Sequence, residues 1–123
     1  SGGALDQARR LAGAAPIAFV ADDVLDSKLS PGFDVIVDRA LLHTLPRSAH
    51  DRYLRQVTRL LAPQGKLLLK VHADADAARR LGTNAFAPAA LAALLAPDLT
   101  LESCVASTVG GVSSLCAVAC RAF

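Results

Sequence analysis

Residues 33–72 read FDVIVDRALLHTLPRSAHDRYLRQVTRLLAPQGKLLLKVH, and this stretch decides the fold class. Phe33 to Val37 is an apolar run closed by Asp38. Ser48 to Leu61 places Tyr53, Leu54, Val57, Leu60 and Leu61 on one helical face, with Ser48 as N-cap and Asp51 three residues after it. Pro63, Gln64 and Gly65 end that helix, and Lys66 to His72 is a further strand with three consecutive leucines. Strands that are apolar throughout, alternating with an amphipathic helix, belong to a parallel sheet covered on both faces.

Working outward on the N-terminal side, Ala4 to Ala14 predicts a short helix with Leu5, Ala8, Leu11 and Ala12 on one face and Pro16 after its end. Ile17 to Ala21 is another apolar run, closed by Asp22 and Asp23, and Ser30, Pro31 and Gly32 make a turn. On the C-terminal side, Asp74 to Leu81 predicts a short helix, Gly82 to Asn84 a loop, and Pro88 opens a helix running to Ala96. Leu99 to Ala106 and Ser114 to Arg121 have no helix between them, only Gly110 and Gly111 at the bend, so they predict an antiparallel hairpin. The expectation is a three-layer α/β sandwich. Its five-stranded sheet is mostly parallel and ends in an antiparallel hairpin.

Composition narrows the function classes. The chain has 123 residues, 53% of them hydrophobic and 4% aromatic, which suits one domain with a real core and excludes disorder. The longest apolar stretch, Ala85 to Pro97, is interrupted by Pro88 and too short for a membrane span. The net charge is +2, and the arginines are interleaved with acids. Arg52, Arg55 and Arg59 stand at helical spacing and read as a solvated helix face. With so few aromatics for base stacking, nucleic-acid binding is disfavoured. Cys104, Cys116 and Cys120 read as small core hydrophobes rather than disulfide or zinc ligands, which fits a reducing cytoplasm. No metal is expected. Ser1 is not a start methionine, so the sequence reads as a trimmed or partial chain.

Open α/β sheets bind ligands outside the carboxyl ends of their strands. Asp22, Asp23 and Val24 stand there after one run, Asp38 and Arg39 after the next, and His72 with Asp74 after the third. Such acids could read the hydroxyl or amino groups of a nucleotide-like ligand. Equally, aspartate simply ends strands and caps loops.

Phe19 to Asp26 (FVADDVLD), Phe33 to Pro46 (FDVIVDRALLHTLP), Tyr53 to Lys70 (YLRQVTRLLAPQGKLLLK) and Phe86 to Leu91 (FAPAAL) resemble, in order, segments of the class I S-adenosylmethionine-dependent methyltransferases. The resemblance implies a single Rossmann-like domain over residues 1–123 and S-adenosylmethionine as cofactor. It implies that Asp23 accepts from the adenine amino group, that Val24 packs on the ring and that Asp22 assists. Asp38, Arg39 and Ala40 would lie beside the methionine part of the cofactor. His43, Lys70 and His72 are candidates for the side of a small-molecule acceptor, although His43 also suits packing under the following helix. No residue stands out as a catalytic base.

The same resemblance exposes a gap. The family's glycine-rich loop after its first strand, and the acid after its second, have no counterpart, because Ser1 to Arg10 is similar to the helix that follows that second strand. The run at Ile17 is therefore expected either to close up against the strand at Phe33 or to leave an edge completed by a second subunit or an N-terminal half. Two function classes follow: a domain for methyl transfer to a small molecule in the complete protein, or a non-catalytic relic or interaction module of the same fold.

Overall fold

The computed structural model describes residues 2–122. The elements are α1 (Gly2–Ala12), β1 (Phe33–Arg39), two short 3-10 turns (Leu42–Thr44 and Arg47–Ala49), α2 (His50–Leu60), β2 (Leu61–His72), α3 (Ala75–Leu81), α4 (Pro88–Leu95), β3 (Leu99–Val109) and β4 (Val112–Arg121). The described residues form a four-stranded mixed sheet in the order β1-β2-β4-β3. β1 runs parallel to β2, while β2 with β4 and β3 with β4 are antiparallel.

The expectation of five mostly parallel strands is therefore corrected. Residues 17–21 form no strand. An apolar run becomes a strand only where a neighbour offers a ladder of hydrogen bonds, and the β1 edge that could offer one stays free. The three-layer expectation fails because helices pack on one face of the sheet only. Tyr53, Leu54 and Val57 of α2 and Leu91 and Leu95 of α4 pack with Leu67, Leu69, Val71, Leu115, Ala117 and Ala119 of the sheet into one core. The opposite face is bare: Val35, Val37, Leu68 and Val105 are exposed on it, aligned by the pairings Val37↔Leu68 and Lys70↔Cys116↔Val105. α1 buries none of its residues, and its Leu11 is exposed.

Local chemistry accounts for the joints. Ser48 does not cap α2; it lies in a 3-10 turn, and the N-cap is Ala49 with no side-chain bond. Asp74 caps α3, its carboxylate accepting from the N–H groups of Asp76 and Ala77. The Pro63–Gln64–Gly65 turn signal is real although β2 nominally starts at Leu61. The pairing steps from Phe33↔Leu61 to Val35↔Lys66, so residues 62–65 bulge out of the ladder. Gln64 has a positive φ there, and a Cβ on Gly65 would come within 2.7 Å of the Ala62 carbonyl oxygen. Gly110 and Gly111, both at positive φ, close the β3–β4 hairpin.

Candidate functional site

β1 ends at Asp38 and Arg39, and the chain then turns through Ala40, a non-glycine residue at φ 71°. Asp38 holds that turn. Its Oδ1 accepts from the Leu41 N–H at 2.8 Å, and its Oδ2 accepts from the Leu42 N–H at 3.2 Å and the Tyr53 hydroxyl at 2.7 Å. Both carboxylate oxygens are thus committed inside the protein, with Asp38 itself buried. Burial and the facing Asp38 charge push the Tyr53 phenol far above its ordinary value, so Tyr53 donates throughout the neutral range.

Above this turn lies a cavity of about 350 Å³ bounded by the 22–29 loop, the end of β1 and α2. Asp22, Val24, Asp38 and Arg39 line it together with apolar groups of Leu29, Ile36 and Val57. A second hollow of about 270 Å³ on the bare face brings Arg39 to Lys70 and Cys116. Lys70 donates to the Thr108 carbonyl at 3.2 Å. The structure thus gathers four of the expected residues around one cavity and places Lys70 beside the next. Asp23 and Ala40 are outside both linings.

The two acids of the 22–29 loop differ in what they have left to offer. Asp22 accepts from the Lys28 N–H at 2.9 Å and from the Ser27 hydroxyl, and these bonds hold its carboxyl below the usual range. Asp23 accepts from the Leu25 N–H through Oδ1 at 2.9 Å, the geometry of an Asx turn. Its second oxygen takes no hydrogen bond among the described residues.

His43 and His72, expected on the acceptor side, lie in the interior. Both are buried, and their rings stack with centroids 3.8 Å apart. They sit under the turn rather than on the cavity wall. Arg52, Arg55 and Arg59 are exposed on α2, as their spacing predicts, and two of them also reach the 22–29 loop. Arg52 Nε donates to the Leu25 carbonyl at 2.8 Å, and Arg59 Nη2 donates to the Ser27 carbonyl at 3.0 Å. Gln56 Oε1 accepts from the Ser27 N–H at 3.1 Å. These side chains satisfy the backbone of a loop that has no strand neighbour. The helical spacing of Arg52 and Arg59 is visible in the sequence, but their target is not. Among the described residues no group of three His, Cys, Asp or Glu side chains is placed to hold a metal ion, and no helix is long and apolar enough to cross a membrane.

A strand–helix–strand unit with its cavity at the strand's carboxyl end, followed by an antiparallel hairpin, defines a Rossmann-like α/β domain. The chain belongs to the methyltransferase-domain family, whose model matches residues 1–69, and is of the class I S-adenosylmethionine-dependent type. Among solved structures it is similar to the N-methyltransferase NodS from Bradyrhizobium japonicum WM9 in complex with S-adenosyl-L-homocysteine. The identity is 25% and the TM-score 0.76, over 99% of this chain and 61% of that one. The 1,6-didemethyltoxoflavin-N1-methyltransferase of Burkholderia thailandensis, with bound S-adenosylhomocysteine, shares the fold at 23% identity and TM-score 0.77, over 96% of this chain and 56% of that one. A Methanosarcina mazei methyltransferase shares it at 14% identity and TM-score 0.83, over 98% of this chain and 78% of that one. The chain thus spans about three-fifths of the length of NodS. No curated protein matches by sequence.

Proposed function

We propose that this domain serves S-adenosylmethionine-dependent methyl transfer to a small-molecule acceptor, with the adenosine end of the cofactor in the cavity at the end of β1. The observation that carries the reading is the wall of that cavity, where Val24 and Ile36 offer apolar surface beside Asp22 and Arg39. The free oxygen of Asp23, one residue from Val24, suits an adenine amino group. Asp38 contributes indirectly: with its oxygens committed to Leu41, Leu42 and Tyr53, it fixes the turn that borders the ligand. The lining contains no glycine, so these residues fit the adenine end of the cofactor and not the whole of it.

When bound, S-adenosylmethionine supplies a methyl group already activated by its sulfonium. The chain's own part is then to bind, orient and exclude water. The rest of the site would come from a strand added at the free edge of β1, supplied by an N-terminal half or a second subunit. Val35 and Val37, exposed along that strand, give such an addition apolar surface to cover.

Calorimetry with S-adenosylhomocysteine tests the reading. Saturable binding by the protein, lost in Asp23→Ala and in Val24→Arg, is the expected result. Absence of binding by folded protein at millimolar ligand would overturn it and favour the alternative, a non-catalytic module of the same fold.

A further inference from the structure

The turn after β1 is fastened on two sides, and only one of them is Asp38. On the other, Nδ1 of His43 accepts the backbone N–H of His72 at 2.9 Å, and the two imidazoles stack with 14° between their planes. A ring nitrogen that accepts carries no hydrogen, so His43 is the neutral tautomer with its proton on Nε2. The His43 carbonyl accepts from the Asn84 N–H at 2.8 Å. The Leu45 carbonyl accepts from Asn84 Nδ2 at 2.7 Å and is bonded by His50 Nε2 at 3.0 Å. His72 Nδ1 bonds the Thr83 hydroxyl at 2.8 Å. The connection from β1 to α2 is thereby joined to the end of β2 and to the α3–α4 loop.

We propose that His43 is a positioning residue for the cavity, a neutral latch that locks the turn carrying Asp38, Arg39 and Leu41, and that its protonation releases that turn. The role in ligand binding rests on the methyl-donor reading above; the latch itself does not. Adding a proton to Nδ1 sets two N–H donors against each other where one bond stood. The groups acting on His43 are few. Burial comes first and lowers its affinity for a proton, and the stacked His72 of β2 acts in the same direction. Asp38 of β1 opposes them. From α2, Tyr53 spends its hydroxyl on Asp38 and His50 is turned to Leu45. The α3–α4 loop presents Thr83 and Asn84, both uncharged, with Arg47 and Arg79 beside them on a surface hollow. His43 therefore titrates below its ordinary 6.5. The latch is fully closed above the unfolded value and opens as pH falls through the lower, folded one.

Nitrogen-15 NMR of the protein reads the latch directly. At neutral pH, His43 Nδ1 is expected to show the shift of an unprotonated acceptor. Exchange of the Leu41 and Leu42 amides should accelerate as His43 titrates. His43→Gln keeps an acceptor oxygen and should remove the pH dependence, whereas His43→Phe keeps the ring stack without the acceptor and should exchange fast at every pH. S-adenosylhomocysteine affinity should fall about ten-fold in His43→Phe and far less in His43→Gln, the loss expected for one unsatisfied buried amide. A protonated Nδ1 at neutral pH, or identical exchange in the two variants, would overturn the proposal. The predicted exchange pattern without any ligand binding would uphold the latch and count against the methyl-donor reading instead.

Discussion

Replacing Tyr53 by phenylalanine tests whether Asp38 is the fastening of the turn. The substitution removes one hydroxyl and keeps the ring that fills the core beside Leu42 and Leu54. What is lost is a 2.7 Å bond to a carboxylate, with both residues 4% exposed. A hydrogen bond to a buried charged group contributes about 1.5–3 kcal/mol. Asp38 keeps two backbone donors, at 2.8 and 3.2 Å, so its charge stays partly compensated. The expected loss is therefore in the middle of that range, about 2 kcal/mol. With a urea slope of roughly 2 kcal/mol/M, the unfolding midpoint should drop by about 1 M at unchanged slope. Far-UV circular dichroism is the right probe. Tyr53 is the single tyrosine and the chain has no tryptophan, so the variant has no useful intrinsic fluorescence. Combining Tyr53→Phe with Asp38→Asn closes a cycle whose coupling should exceed 0.5 kcal/mol, because the two side chains share one bond. A Tyr53→Phe cost below about 0.5 kcal/mol, or strict additivity in the cycle, would refute the role given to the pair.

The same pair sets alkaline behaviour. Because Tyr53 is pushed far up in the fold, its contribution is complete below the ordinary phenol value near 10 and is lost as pH rises above it; urea titrations between pH 9 and 11 should show falling stability in the native sequence and a flatter profile in Tyr53→Phe. Gly65→Ala drives a methyl into the Ala62 and Phe33 carbonyl oxygens, at 2.7 and 3.0 Å, and both belong to backbone that cannot swing aside. It should cost about 1–3 kcal/mol by thermal or urea unfolding. Asp74→Ala removes a cap that receives two N–H groups and should cost about 1 kcal/mol, seen as faster amide exchange at Asp76 and Ala77.

Local signals in the sequence carried much of this fold. Of the five apolar residues expected on one helical face, Tyr53, Leu54, Val57 and Leu60 are buried on α2 and Leu61 is buried as the first residue of β2, and Gly110 with Gly111 marks the hairpin because both positions need positive φ. Ile17 to Ala21 misled for a physical reason: hydrophobicity measures a segment's wish to be covered, whereas strand formation needs a neighbour in register. The bare sheet face has a separate cause: α1 buries none of its residues, so it does not cover that face. At the site, Asp22, Val24, Asp38 and Arg39 were legible as strand-end residues. Tyr53 was legible only as an apolar helix position; nothing in its spacing announced that its hydroxyl reaches Asp38. His43 and His72 lie 29 residues apart in sequence, and their stacking depends on how the turn folds over the end of β2.

The uncovered face of the sheet has a consequence that can be weighed in area. A folded monomer of this mass, 12.7 kDa, exposes about 6,200 Å² by the scaling of compact proteins. This chain exposes 7300 Å². The surplus, about 1,100 Å², exceeds the roughly 800 Å² that one partner contributes to a standard protein–protein interface. Exposed Val35, Val37, Leu68 and Val105, together with Leu11 of α1, make much of that excess apolar. Left open to water, such a surface invites self-association at working concentrations. The solution behaviour of the domain therefore depends as much on what lies over this face as on how well its core is packed.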